Sequence, residues 1–380
     1  MSYQRLATFD GDAVQNNSNI SSSKVLKDGR SSFRVKSIFT RILAAIAIIY
    51  FALAGLRSLK SSSLRLGWPS CHRNSSLKSG LGTLPSHFDL PSGDRIPSVA
   101  LGVWMAGKGE VGAAVKTALK AGYRHIDGAW AYRNEEEVGK AIKESGVPCT
   151  DIWITSKLAN NFHAPEDVEP ALDESLDALG TEYLDLYLVH WPIAFKKETG
   201  TYDPELSDNP YPTWLKLEEM VEKGKVRNIG ISNFNIRRIQ NLTANPLKVK
   251  PAVLQVELSF WNPQPELVKW AKENNLPVEA YSPLGGSAQV KETLKEPTIN
   301  KIANELGMTP AQVVISWHVQ RGTIVLPKGV TPSRIRENLE IRTLPDDLFE
   351  ELEVAAVSHE PMRTINPSNA WGLDFDIFDD

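Results

Sequence analysis

From residue 88 onward the chain repeats one unit. A short apolar run ends in a polar or aromatic residue, and an amphipathic stretch follows. The runs fall at 99–104, 124–127, 152–157, 184–190, 226–233, 252–257, 278–281 and 324–328. They are rich in Val, Ile, Leu and Tyr, as strands buried on both faces of a parallel sheet are. Apolar residues at helical spacing occupy 110–121, 135–142, 165–179, 214–223, 265–273, 299–306 and 311–319. The third of these opens Pro165-Glu166-Asp167, a favourable first turn. Strands alternating with helices predict an α/β fold with a parallel sheet. Eight such units in about 290 residues fit a closed (β/α)8 TIM barrel. An N-terminal β-hairpin predicted at 88–90 and 95–97, turning at Ser92-Gly93, would plug its floor.

A barrel carries its chemistry at the C-terminal ends of its strands. Trp104, Asp127, Lys157, His190, Ser232, Asn233, Gln255, Tyr281 and Lys328 stand at those ends. Singly, each has a plain structural role: a core aromatic, a snorkelling lysine, a helix cap or a satisfied core histidine. Together they point to one mouth lined with functional groups. Gly107-Lys108-Gly109-Glu110-Val111-Gly112 also matches the G-x-G-x-x-G pattern of a dinucleotide-binding turn, with Asp127 further on. That reading is set aside: Met105 and Ala106 separate the glycines from the strand, and a Rossmann sheet leaves the later strand-end residues unexplained.

Charge divides the chain. Residues 1–87 hold 12 Lys/Arg against 3 Asp/Glu, and the remainder holds 30 against 43. The net charge of −4 gives no reason to expect a nucleic-acid partner. Two cysteines, Cys71 and Cys149, exclude a disulfide framework, and no Cys/His spacing suggests a metal. Residues 1–37 read as a disordered N-terminal tail and 57–87 as a linker. Between them, 42–56 carry no charge and lie between Arg41 and Arg57. Extended back to Ile38, the segment approaches the ~20 residues that a span needs. Residues 38–56 therefore predict a single-pass transmembrane helix that holds the protein at a membrane, with a catalytic domain over 88–380. A cleaved signal peptide ending near Ala52-Leu53-Ala54, a mitochondrial presequence and a helix packed on the domain are the other readings.

The motifs HIDGAWAYRNEEEVG (125–139), ITSKL (154–158), LVHWP (188–192), GISNF (230–234), EAYSPLG (279–285) and LPKGVTPSRIREN (326–338) resemble those of the aldo-keto reductases. They occur in family order and cover nearly all of 88–380. The ending NPSNAWGLDFDIF (366–378) resembles fungal members that reduce small aldehydes. The resemblance implies an NADP-dependent oxidoreductase that reduces aldehydes or ketones to alcohols. Asp127, Tyr132, Lys157 and His190 match the catalytic positions. A carbonyl that accepts hydride needs a proton, and a Tyr hydroxyl can donate it. Its usual pKa of about 10 is high for neutral pH, and a neighbouring ammonium is expected to lower it. Asp127 would hold Lys157 charged and aimed, and His190 would donate to the carbonyl oxygen.

The resemblance extends to the cofactor, NADP(H). Ser232, Asn233 and Gln255 match residues that hold the nicotinamide carboxamide, and Tyr281 matches the residue that stacks on the ring. Lys328 and Arg334 match the cations at the 2′-phosphate. Ser282, Leu284, Val330, Thr331, Glu337 and Asn338 match further cofactor contacts. Trp104, Trp191 and His190 match the substrate pocket, which Trp130 and Trp371 would join. Three positions depart from the family: Gly329 and Gly286 replace hydroxyl residues, and Ser259-Phe260-Trp261 replaces His-Pro-Tyr. The expected partner is a small carbonyl compound, and the expected state is a monomer or weak oligomer. The distribution of Lys and Arg around 38–56 favours a luminal domain, whereas the need for reduced nucleotide favours a cytosolic one, which is preferred. The alternative function is a slow NADP-binding sensor or scaffold subunit at a membrane.

Overall fold

The computed structural model describes residues 83–378. Its strands are β1 (His87–Asp89), β2 (Arg95–Pro97), β3 (Leu101–Gly102), β4 (His125–Asp127), β5 (Trp153–Leu158) and β6 (Leu184–Val189). They continue with β7 (Ala194–Phe195), β8 (Tyr202–Asp203), β9 (Val226–Ser232), β10 (Leu254–Glu257), β11 (Val278–Tyr281) and β12 (Thr323–Leu326). Eight of them form one parallel sheet in the order β12-β11-β10-β9-β6-β5-β4-β3. The sheet closes where β3 meets β12. There Ala100 N–H donates to Val325 O at 2.9 Å and Gly102 N–H to Pro327 O at 3.1 Å. A Cβ on Gly102 would lie 3.1 Å from Leu326 O, so only a glycine fits this seam comfortably. The expected (β/α)8 barrel is present.

Two layers of apolar side chains hold it. Inside, Leu186, Leu188, Val253, Ile324 and Leu326 meet Leu90 and Ile96 from the floor hairpin β1–β2. Outside, Val115, Leu119, Leu172, Leu176, Trp214 and Leu217 join the strands to the surrounding helices. Each buried Leu, Ile or Val side chain contributes roughly 1.5–3 kcal/mol. This double burial is why the strands read as continuous apolar runs rather than alternating ones.

The helices differ from expectation mainly at their ends. Pro297–Leu306 and Pro310–Gln320 each begin at a proline, whose fixed φ suits the first turn. The run at 99–104 forms a regular ladder only over β3. Trp104 has already turned toward solvent and is 37% exposed. Short helices at Ile236–Thr243, Gly286–Thr293 and Pro332–Glu337, and the longer Asp346–Val357, are additions to those the periodicity predicts. A window of eight residues or fewer holds about two turns, too few to establish a 3.6-residue period.

The expected membrane localisation is corrected. Among the described residues no helix is long and apolar enough to cross a membrane. The span expected over 38–56, with the tail at 1–37 and most of the linker at 57–87, lies outside the described residues.

Gly139 marks the closest helix contact. On the helix Glu135–Ser145, a Cβ there would sit 2.3 Å from Leu179 O at the end of Pro165–Leu179. Gly139→Ala is expected to lower the unfolding free energy by about 2–3 kcal/mol in a urea titration. A loss below ~0.5 kcal/mol would mean that the two helices part freely.

Candidate active site

The two-residue period of a strand turns alternate side chains to one face. In β4 that face carries His125 and Asp127, and in the adjacent β5 it carries Thr155 and Lys157; Asp127 lies opposite Thr155. In β10 it carries Gln255 and Glu257, opposite Glu279 and Tyr281 of β11. The polar residues thus converge inside the upper barrel.

Lys157 is fully buried. Its ammonium donates to Asp127 Oδ1 at 2.8 Å and Oδ2 at 2.9 Å, to Gly128 O at 2.7 Å and to Tyr132 Oη at 3.4 Å. Burial is the largest single influence and would lower its pKa, but the charge and hydrogen bonds of Asp127 and Tyr132 together outweigh it; the net shift is upward, so the group stays charged. Tyr132 ends a 3-10 turn, Trp130–Tyr132, after which Arg133 adopts a left-handed φ of 56°. This turn brings the phenol back over the lysine. The expected sign of its pKa is corrected here: burial raises the phenol above its usual value, and Lys157 opposes that only in part. Tyr132 is therefore a protonated phenol at neutral pH.

His190 follows β6, and its ring lies 5.7 Å from that of Tyr132 at 72°. Burial and the Lys157 charge hold its pKa well below the usual histidine value. A neutral imidazole retains one N–H donor, and neither ring nitrogen is hydrogen-bonded among the described residues. The four expected catalytic side chains therefore meet at one opening.

The expected cofactor residues form two groups. Near the ion pair, Asn233 at φ 65° donates to His190 O at 2.9 Å and Ser232 Oγ at 3.1 Å, and it accepts from the Tyr281 hydroxyl at 2.7 Å. Its amide is thus engaged within the protein. Gln255 donates one N–H to Asp127 Oδ2 at 2.9 Å and the other to Glu279 Oε2 at 2.8 Å. Only its carbonyl oxygen remains, which suits an amide donor such as a carboxamide NH2. Farther out, the exposed Lys328 and Arg334 side chains have no hydrogen bond or ion pair among the described residues. Two free cations suit a phosphate. Val330, Thr331, Glu337 and Asn338 surround them on the segment leading through the helix Pro332–Glu337, with Asn338 buried. Ser282, at φ 50°, and Leu284 begin the turn after β11. Gly286 follows in the same turn at a φ of +60°, a region that favours glycine.

Trp191 is buried, and Trp371 meets it edge-on at 5.1 Å. Trp104 is exposed at the rim. Trp130 packs edge-on against Phe162 at 4.6 Å, and its indole N–H donates to Glu174. The G-x-G-x-x-G turn holds no vacant anion site. Glu137 accepts from Gly109 N–H at 3.0 Å and Gly112 N–H at 2.9 Å, so a carboxylate of the chain itself fills that place.

Two buried carboxyl groups, Glu257 and Glu279, escape sequence reasoning. Glu279 lies fully buried beside Gln255, and its pKa is pushed up to about 8, first by burial and then by the Asp127 charge. Their only sequence signal is a Glu at an inward strand position. A carboxyl group raised in the fold contributes stability below its unfolded pKa, and that stability is lost as pH rises toward the folded value. Glu279→Gln should therefore gain on the parent by up to about 1.4 kcal/mol per pH unit between pH 4.5 and 8. Urea titrations at pH 5 and pH 8 measure this; an unchanged difference would mean that Glu279 is ionised in the fold.

A model of the Aldo/keto reductase family matches residues 98–356. Glycerol 2-dehydrogenase (NADP(+)) of Saccharomyces cerevisiae is 41% identical over 308 residues, covering 77% of this chain and 96% of its own length. Aldo-keto reductase family 1 member A1 of Homo sapiens is 43% identical over 279 residues, covering 66% and 83%. The solved aldose reductase of Schistosoma japonicum aligns with a TM-score of 0.70 at 38% identity, covering 76% of this chain and 97% of its own.

Proposed function

Because this chain belongs to the aldo/keto reductase family, we propose that it reduces a small aldehyde or ketone to the alcohol, with Tyr132 as the proton donor. At the level of the family it is an NADP-dependent oxidoreductase. The observation that carries the finer reading is the buried Lys157 ammonium, which touches both the Asp127 carboxylate and the Tyr132 hydroxyl.

NADPH, when bound, supplies the hydride to the carbonyl carbon. The chain's own groups do the rest. The neutral His190 donates to the carbonyl oxygen and fixes its direction. Tyr132 gives its proton to that oxygen as negative charge develops there. Lys157 stabilises the phenolate left behind, and Asp127 keeps the ammonium in place. One hydride and one proton thus convert C=O to CH–OH. Ser232, Asn233 and Gln255 would hold the carboxamide, Gln255 through its remaining oxygen. Tyr281, braced by Asn233, would stack on the nicotinamide. Lys328 and Arg334 would bind the 2′-phosphate, with Ser282, Leu284, Val330, Thr331, Glu337 and Asn338 lining the rest. Trp104, Trp191 and Trp371 would accept the substrate by shape.

Steady-state turnover with NADPH and a panel of aldehydes and ketones tests the reading. Tyr132→Phe should lose at least a hundredfold in kcat, the scale of a lost general acid, while NADPH still binds in a fluorescence titration. Undiminished turnover would remove Tyr132 as the donor. NADPH binding without turnover of any carbonyl by the parent protein would point instead to a nucleotide-binding role. Arg334→Ala should weaken NADPH at least tenfold more than NADH; equal weakening would refute the phosphate assignment.

A further inference from the structure

Glu257 ends β10, two residues beyond Gln255 on the same inward face, and is fully buried. Its carboxylate makes no ion pair among the described residues. Instead, Oε1 accepts from the backbone N–H of Thr364 at 2.8 Å and from its hydroxyl at 2.8 Å, and Oε2 accepts from the N–H of Ile365 at 2.8 Å. These donors lie more than a hundred residues away, on the segment that follows the last helix. The backbone of Glu257 grips the same segment indirectly. Its carbonyl accepts from Gln264 Nε2 at 2.7 Å, and Gln264 Oε1 accepts from Arg363 at 3.1 Å. The Arg363 guanidinium in turn lies 3.6 Å over the ring of Phe378.

The segment so held closes on itself. Asn366 donates to Asp376 at 2.8 Å, and Ile377 N–H donates to Ser368 Oγ at 3.0 Å. Its aromatic and apolar residues build a wall against Trp191, the neighbour of His190: Trp371 lies at 5.1 Å, Phe378 at 6.1 Å, and Ile377 is buried among them. Behind Arg363 and Phe378 lies a cavity of about 320 Å³, which Phe234, Val256 and Leu267 also line. Phe378 packs toward Trp191 on one side only and borders this cavity on the other, so the polar clamp adds a second hold on the segment.

We propose that Glu257 is a positioning residue for substrate selection: its buried carboxylate straps residues 362–378 to the end of β10 and so sets the aromatic wall beside Trp191. The proposal rests on the reading of this mouth as a carbonyl-reducing site. It assigns Glu257 no part in the chemical step. Carbonyl compounds large enough to touch the wall should depend on the clamp, and small ones should not.

Glu257→Gln is the direct test, because it keeps one acceptor oxygen but turns an N–H toward that of Ile365. Three quantities are measured: hydrogen exchange over 362–378, the Michaelis constants for cinnamaldehyde and propanal, and NADPH binding by fluorescence. The expected result is exchange at least tenfold faster and a Michaelis constant for cinnamaldehyde at least fivefold higher. The constant for propanal and the NADPH affinity should stay within twofold of the parent. Thr364→Val, which removes one of the three bonds and leaves Glu257 intact, should move the same quantities in the same direction by less. It also serves if Glu257→Gln does not fold. Exchange at the parental rate would overturn the proposal. So would a rise in both Michaelis constants together with weaker NADPH binding, which would place the effect of Glu257 on neighbouring Tyr281. A parent protein inert toward every carbonyl would refute the reductase reading and with it the substrate half of the proposal. The exchange rates would then decide alone whether Glu257 holds the strap.

Discussion

The upper barrel is organised around one buried ammonium. A lone charged lysine inside a protein costs several kcal/mol, and removing one partner of a buried pair typically costs 3–5 kcal/mol. Lys157 persists there because Asp127, Gly128 O and Tyr132 surround it. Register makes this possible, since Asp127 and Lys157 point inward from adjacent strands, two residues apart in level. Gln255 then binds Asp127 from the opposite side and passes its second N–H to Glu279. The position of Asp127, and through it the ammonium, is thus set from two sides of the barrel.

That arrangement separates two effects that are easily confused. A cation beside a phenol favours the phenolate, which suggests a lowered pKa. In this mouth burial is the larger influence, and the phenol is held above its usual value. For a proton donor this is no handicap. The group is protonated at neutral pH, and in the proposed mechanism Lys157 acts when negative charge appears on the oxygen. His190 follows the same logic: burial, with the Lys157 charge, keeps it neutral, so it offers an N–H dipole rather than a second cation competing with Lys157.

Much of the barrel was legible because strands buried on both faces are long apolar runs, and because the functional residues end those runs. Asp127, Lys157, His190 and Tyr281 stand at or beside the strand ends their sequence positions implied. Other features were not legible, for reasons that are equally physical. The G-x-G-x-x-G pattern looked like an anion site, and only the fold brings Glu137 onto its amides. The clamp between Glu257 and Thr364 joins residues with no common motif, and the apolar pattern around 364–378 says nothing about what holds it. The inward turn of the Asn233 amide depends on a left-handed φ that a side chain's chemistry does not announce.

The proposed mechanism requires Tyr132 to be a protonated phenol whose ionised form depends on Lys157. Titrating protein labelled with 13C at the tyrosine Cζ, by NMR, tests this without reference to turnover. In the parent, Tyr132 should remain a phenol beyond the pH at which exposed tyrosines ionise, and in Lys157→Met it should move still higher. Ionisation of Tyr132 below the exposed tyrosines, or a titration that Lys157→Met leaves in place, would rule out this role for the pair.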